Sequence, residues 1–104
     1  MTEWPREVFV DINPDVRVRY GRSEQIPIRY AIVLEIRVDG EWTAVRLWDN
    51  AHYPEEHHEH GYTRISGKQD PVVHRFMSIN EAMAHAMRRA AQDWPALLET
   101  WRTR

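Results

Sequence analysis

Between His52 and His60 the chain reads HYPEEHHEH, which sets four of its six histidines among Glu55, Glu56 and Glu59. Neighbouring carboxylates favour the imidazolium form, so such rings are expected to titrate close to or above neutrality. Two imidazoles with displaced pKa values can serve as general base and general acid. On an extended backbone side chains repeat with period two, so a strand over His57–Ile65 projects His58, His60, Tyr62 and Arg64 from one face. These four are the candidate catalytic residues of a metal-independent RNA cleavage. One imidazole takes the 2′-hydroxyl proton, another protonates the leaving oxygen, and the guanidinium stabilises charge developing on phosphorus.

The same spacing admits a metal. His58-x-His60 puts two imidazoles on one side of a strand, and a carboxylate such as Glu55 or Asp49 would complete a set of two histidines and one acid for a divalent transition metal. A third reading is a solvated, histidine-rich loop in which Asp49-Asn50 are turn residues.

The elements that must position these groups are legible from alternation and turn chemistry. Arg6–Ile12 alternates with Val8, Val10 and Ile12 on one face and stops at Asn13-Pro14. Val16, Val18 and Tyr20 alternate with Arg17 and Arg19, and Gly21–Pro27 reads as a loop. Asp39-Gly40 predicts a two-residue hairpin turn of the type that suits strand twist. Its register pairs Ile36 with Thr43, Leu34 with Val45 and Ile32 with Leu47 on an aliphatic face. The other face pairs Arg37 with Trp42, Val33 with Arg46 and Ala31 with Trp48, so that arginine alternates with tryptophan as a stacking surface for unpaired bases. Arg46 and Trp48 are therefore candidate substrate contacts.

Gly67–Pro71 reads as a turn and Val72–Met77 as a last strand. Ser78-Ile79-Asn80-Glu81 is a capping box, and a stripe through Ile79, Met83, Ala86/Met87, Ala90, Trp94, Leu97/Leu98 and Trp101 marks a helix laid on the sheet. Pro95 lacks an N–H, and because the stripe continues past it a bend is expected there rather than an end. His85 shares the polar side of this helix with Arg88, Arg89 and Gln92 and reads as solvated surface, whereas His74 is left open between a sheet position and the histidine cluster. The expected architecture is one α+β domain over 1–104: a twisted antiparallel sheet of about five to six strands packed against a long C-terminal helix kinked near Pro95.

Composition narrows the functional class. The chain has 104 residues, enough for one core, and no cysteine, which excludes disulfides and thiolate metal sites. A formal charge of −2 excludes a broad basic footprint for duplex DNA. Every basic residue except Lys68 is arginine, the side chain suited to phosphate and to stacking on aromatic rings, although a GC-rich genome explains the same bias. No apolar stretch is long enough to span a bilayer and the N-terminus has no signal-like core, so a cytoplasmic protein is expected. Five tryptophans are many for this length; Trp94 and Trp101 read as packing anchors that could also support a homodimer.

The order of features resembles the TumE-type toxin family, small bacterial proteins typically encoded beside a helix-turn-helix antitoxin. The resemblance rests on Trp48-Asp49-Asn50 at a hairpin end, His57-His58-Glu59-His60, His74-Arg75-Phe76 and the capped helix start at Ser78–Glu81, over about 30–89. It implies a toxin role, with Asp49, Asn50, His58, His60 and Arg75 at matching positions and an antitoxin partner. A Gly-Lys step associated with the segment after Asp-Asn is absent there and occurs only at Gly67-Lys68, which makes Lys68 a further candidate substrate contact. Three function classes remain open: a toxin-like ribonuclease acting on RNA without a cofactor, a metal-binding enzyme using His58, His60 and Glu55, and a non-catalytic interaction protein such as a phage or mobile-element factor.

Overall fold

A computed structural model describes residues 7–51 and 56–104. Among the described residues seven strands precede one helix: β1 (Glu7–Asn13), β2 (Val16–Arg22), β3 (Tyr30–Val38), β4 (Glu41–Asp49), β5 (His57–Thr63), β6 (Gly67–Lys68), β7 (Val72–His74) and α1 (Ile79–Thr103). β1 to β5 form an antiparallel meander, and the outer edge of β5 is shared. β7 pairs with its first half, His57 with His74, and β6 with its end, Tyr62 with Lys68. This is the α+β architecture expected from patterning, an antiparallel sheet packed against one long C-terminal helix.

The β3–β4 turn carries Asp39 at φ 50 and Gly40 at φ 81, the two left-handed residues that a type I′ turn requires. From there Arg37 pairs with Trp42 and Ile36 with Thr43, as the turn dictates. The expected register then fails. Glu35 pairs with Ala44 but Leu34 pairs with Arg46, so Val45 is the extra residue of a β-bulge. Beyond it the parity of β4 is reversed relative to expectation: Val33 lies opposite Leu47, Ile32 opposite Trp48 and Ala31 opposite Asp49. Trp48 consequently joins the core at 2% exposure instead of an aromatic outer face. Arg46 turns towards the helix. The expected arginine–tryptophan surface survives only near the hairpin tip, where the Arg17 guanidinium lies 4.1 Å from the Trp42 ring centre and 4.5 Å from that of Phe9.

The core fills the space between α1 and one sheet face, with Val16 and Val18 from β2, Tyr30, Ile32 and Leu34 from β3, and Val45 and Trp48 from β4. The helix answers with a line of alanines, Ala82, Ala86 and Ala90, followed by Leu97 and Trp101. Small residues at four-residue spacing bring the helix axis close to the sheet. Ala86, Ala90, Leu97 and Trp101 lie on the expected stripe, Ile79, Met83, Met87, Trp94 and Leu98 pack at its margin, and Ala82 extends it on the side that carries His85 and Arg89. His85, expected on the solvated side, is half-buried and its ring centre lies 5.1 Å from that of Phe76.

The helix starts as its capping box requires: Ser78 is extended and its hydroxyl accepts from the Glu81 amide at 3.1 Å. The Glu81 carboxylate accepts from the Met77 amide at 3.2 Å. Pro95 sits inside α1 on its exposed side and the helix continues to Thr103. β2 runs on into the expected loop as far as Arg22, and the expected last strand is only Val72–His74. No described helix is long and apolar enough to cross a membrane.

Candidate metal centre beside a sheet–helix charge network

β5 decides the site because its two faces carry different chemistry. Antiparallel pairing sets His58 opposite Asp49, Glu59 opposite Trp48 and His60 opposite Leu47. Alternation then sends His57 and Glu59 to the face that packs against α1, and His58 and His60 to the other. All four are buried, at 5%, 9%, 4% and 7% exposure for His57, His58, Glu59 and His60.

On the face away from the helix, Asp49, His58 and His60 come together, with one potential ligand atom of each lying within 4.8 Å of the others. Each imidazole also has one nitrogen bonded to an oxygen. His58 Nε2 lies 3.2 Å from a Glu56 carboxylate oxygen, and His60 Nδ1 lies 3.0 Å from the Gln69 carbonyl. Each ring thus donates one N–H to an oxygen, and among the described residues its other nitrogen, Nδ1 on His58 and Nε2 on His60, has no hydrogen-bond partner. Metal-bound histidines are oriented in this way, by a carboxylate or carbonyl on the distal nitrogen. Asp49 is 6% exposed, and among the described residues its buried Oδ1 has no hydrogen-bond partner. A desolvated carboxylate oxygen with nothing to accept is costly, and a cation removes that cost. The donor set, two imidazoles and one carboxylate, suits a divalent transition metal and leaves coordination positions open.

Tyr62, the next residue on this face, is half-buried, and burial followed by the Asp49 charge pushes its phenol up, with Arg19 acting against them. The stripe ends there. β5 stops at Thr63, and Arg64 is an exposed turn residue whose amide is bound to the C-terminal end of α1, at the carbonyls of Trp101 and Arg104. The guanidinium expected beside His58 and His60 is therefore not supplied by a strand position. Glu55, the alternative third ligand, and His52 lie outside the described residues.

The helix-side face holds a second cluster, Glu59, His74 and His85. Here the carboxylate is already neutralised. One Glu59 oxygen lies 2.6 Å from Arg46 and 3.2 Å from Arg89, and the other lies 3.2 Å from His74 Nε2. Burial alone would raise the Glu59 pKa; the hydrogen bonds of Arg46 and Arg89 and the Arg46 charge reverse this and hold it at about 2. Two guanidiniums on one carboxylate repel a cation, so this cluster is an ion-pair network tying β4, β5 and β7 to α1. His85, expected to be bland, lies beside it with Nε2 buried and unpartnered; burial first, then the His74 charge, lower its pKa.

The remaining sequence candidates fall elsewhere. Arg46 serves Glu59, not the Asp49 cluster. Asn50 is fully buried, accepting from the Tyr30 amide at 2.7 Å and donating to the Ile28 carbonyl at 3.0 Å, which staples the loop before β3. Lys68 and Arg75 are exposed, and Trp101 is 7% exposed within the core while Trp94 packs at its margin. Sequence reasoning missed the partners Glu56 and Gln69 and the position of Arg19. Only the pairing of β4 with β5 and β2 with β3 brings the outer-face groups together.

Residues 3–104 match a family described as a domain of unknown function, DUF7718. No curated protein and no solved structure matches the chain. The matched family carries no functional description, so the toxin expectation rests on its short motifs alone.

Proposed function

We propose that this chain, which belongs to the DUF7718 domain family, is a metal-dependent hydrolase whose centre is Asp49, His58 and His60. The supporting observation is the buried Asp49 oxygen, without a partner among the described residues, set against two imidazoles that each have one nitrogen bonded to an oxygen. Bound there, a divalent transition metal would supply Lewis-acid polarisation of an ester or phosphoester and a water nucleophile at neutral pH. Glu56 and the Gln69 carbonyl hold the rings in the required tautomers. Tyr62, with its phenol protonated, offers a hydrogen-bond donor next to the centre, and Arg19, whose charge acts on that phenol, supplies positive charge on the same sheet face.

A second reading has one specific support. The same His58/His60 pair with Tyr62 could cleave RNA without metal, as in a toxin of a toxin–antitoxin module, with Arg19 in the role expected of Arg64. A single assay separates the two. Tag-free protein is stripped with a chelator and offered bis(p-nitrophenyl) phosphate, p-nitrophenyl acetate and single-stranded RNA, with and without added Zn²⁺, Mn²⁺ or Fe²⁺. Turnover that needs metal and falls at least about a hundredfold in Asp49→Ala is expected. RNA cleavage that persists in chelator and disappears in the His58→Ala/His60→Ala variant selects the acid–base reading. Metal uptake without turnover on any substrate makes the centre structural and removes the hydrolase assignment.

A further inference from the structure

Across β5 from the metal centre, at the end of the sheet, a pocket of about 460 Å³ opens between the loop before β3 and the connection from β7 to α1. Its walls are Ile26, Pro27, Ile28, Phe76, Met77 and Ile79, with Ser78 at the rim. The Ser78 hydroxyl accepts from the Glu81 amide and keeps its own O–H, while His57 is the buried polar side chain of the wall. This ring is 5% exposed, lines the pocket, and meets Phe76 edge-on with ring centres 5.4 Å apart.

Its tautomer follows from Tyr30. The phenol oxygen lies 2.8 Å from His57 Nδ1, and the Tyr30 side chain is 1% exposed. A phenol holds its proton at neutral pH, and among the described residues Nδ1 is its hydrogen-bond partner. The O–H therefore donates to Nδ1, and the imidazole proton resides on Nε2. No described group accepts from that N–H. An N–H facing an apolar cavity without an acceptor is unfavourable, and a ligand that supplies one gains both the hydrogen bond and the apolar burial. The volume lies in the range of small-molecule pockets, and the pattern of apolar walls with one placed polar group is typical of them.

We infer that this pocket binds a small, neutral, largely apolar molecule, aromatic or aliphatic, that accepts a hydrogen bond from His57 through a carbonyl oxygen. An anionic head is disfavoured because the Glu81 carboxylate closes the helix start beside the pocket. The exposed side chains of Ile26 and Met77, at 92% and 94%, stand at its entrance and would be covered in part by the ligand. The inference does not depend on the metal centre, since the two sites use opposite faces of β5.

The test uses the full chain and prodan (6-propionyl-2-dimethylaminonaphthalene), a neutral aromatic ketone whose emission reports hydrogen bonding and polarity. Saturable one-to-one binding is expected, with shifts of the Phe76, Ile79 and His57 resonances in the unmodified protein. His57→Phe should weaken binding by roughly five- to tenfold, the loss of one neutral hydrogen bond, and the carbonyl-free propyl analogue should bind both proteins alike. Ile28→Trp, which fills the pocket from its wall, should abolish binding while circular dichroism stays unchanged. Removing metal, or His58→Ala, should leave prodan affinity unaltered. The inference is overturned if prodan fails to saturate, if the propyl analogue binds the unmodified protein as tightly as the ketone does, or if the perturbed resonances map away from the pocket. Concentration-dependent self-association that Ile28→Trp removes would equally overturn it, by making the pocket an interface between copies.

Discussion

His58, Glu59 and His60 are consecutive, yet their side chains do unrelated work because a strand alternates them between two environments. Glu59 meets two guanidiniums and is a stability residue; its neighbours meet Asp49 and are candidate ligands. The carboxyl of Glu59 sits at about 2 against an ordinary 4.5, and a depressed carboxyl stabilises the fold above its unfolded pKa and loses that contribution as pH falls towards the folded value. The difference corresponds to roughly 3 kcal/mol that disappears between about pH 5 and pH 2. His85 acts in the same acid direction. Its pKa lies below the ordinary 6.5, so the unfolded chain takes up that proton first and stability starts to fall below that pH. Urea denaturation of Glu59→Gln should therefore show about 2–4 kcal/mol less stability at pH 7, from leaving Arg46 uncompensated and Arg89 with Asp93 alone, and a flatter acid limb than the unmodified protein. An unchanged acid limb would remove Glu59 from the account. This pairing was not visible in the sequence. A glutamate within HHEH reads as part of the histidine cluster until the strand faces are assigned.

At the level of elements, the β-bulge at Val45 has the largest consequence. One extra residue rotates Arg46 towards the helix and buries Trp48, and neither event is signalled by the run Ala44-Val45-Arg46-Leu47-Trp48, which alternates acceptably in either parity. The turn, by contrast, was legible, because few residue pairs other than Asp-Gly tolerate two successive positive φ angles. So was the capping box. The helix face was legible too, through Ala86, Ala90, Leu97 and Trp101; only Ala82 escaped the pattern, because an alanine carries a weak hydrophobic signal beside Met83. Gly61 completes the geometry that the bulge starts. It pairs with Arg46 across the sheet, and a Cβ there would lie 2.8 Å from Arg46 Nη1. Gly61→Ala should push the guanidinium off Glu59 and cost about 1–2 kcal/mol in thermal or urea denaturation, the range expected for weakening one buried charge-assisted hydrogen bond. The loss should largely vanish in an Arg46→Met background, where there is no guanidinium to displace; an equal loss there would assign the effect to the strand backbone instead.

Across the whole molecule the fold separates three functions: a packed core under α1, a charge network that locks sheet to helix, and a histidine–aspartate centre on the opposite face. The α+β class, the C-terminal helix and the histidine-bearing strand could be read from periodicity and caps. The third ligand could be narrowed only to Glu55 or Asp49. Asp49 is separated from His58 and His60 by a connection whose length says nothing about register, and only the pairing of β4 with β5 brings it opposite His58. The account stands or falls on occupancy of that centre. Elemental analysis of tag-free protein, reconstituted with Zn²⁺, Mn²⁺ and Fe²⁺ in turn and then dialysed, should find about one equivalent of one of these metals in the unmodified chain and less than about a tenth in Asp49→Ala and in His58→Ala/His60→Ala. Unmodified protein that retains less than about a tenth of an equivalent of every metal, or variants that retain as much as it does, would contradict it.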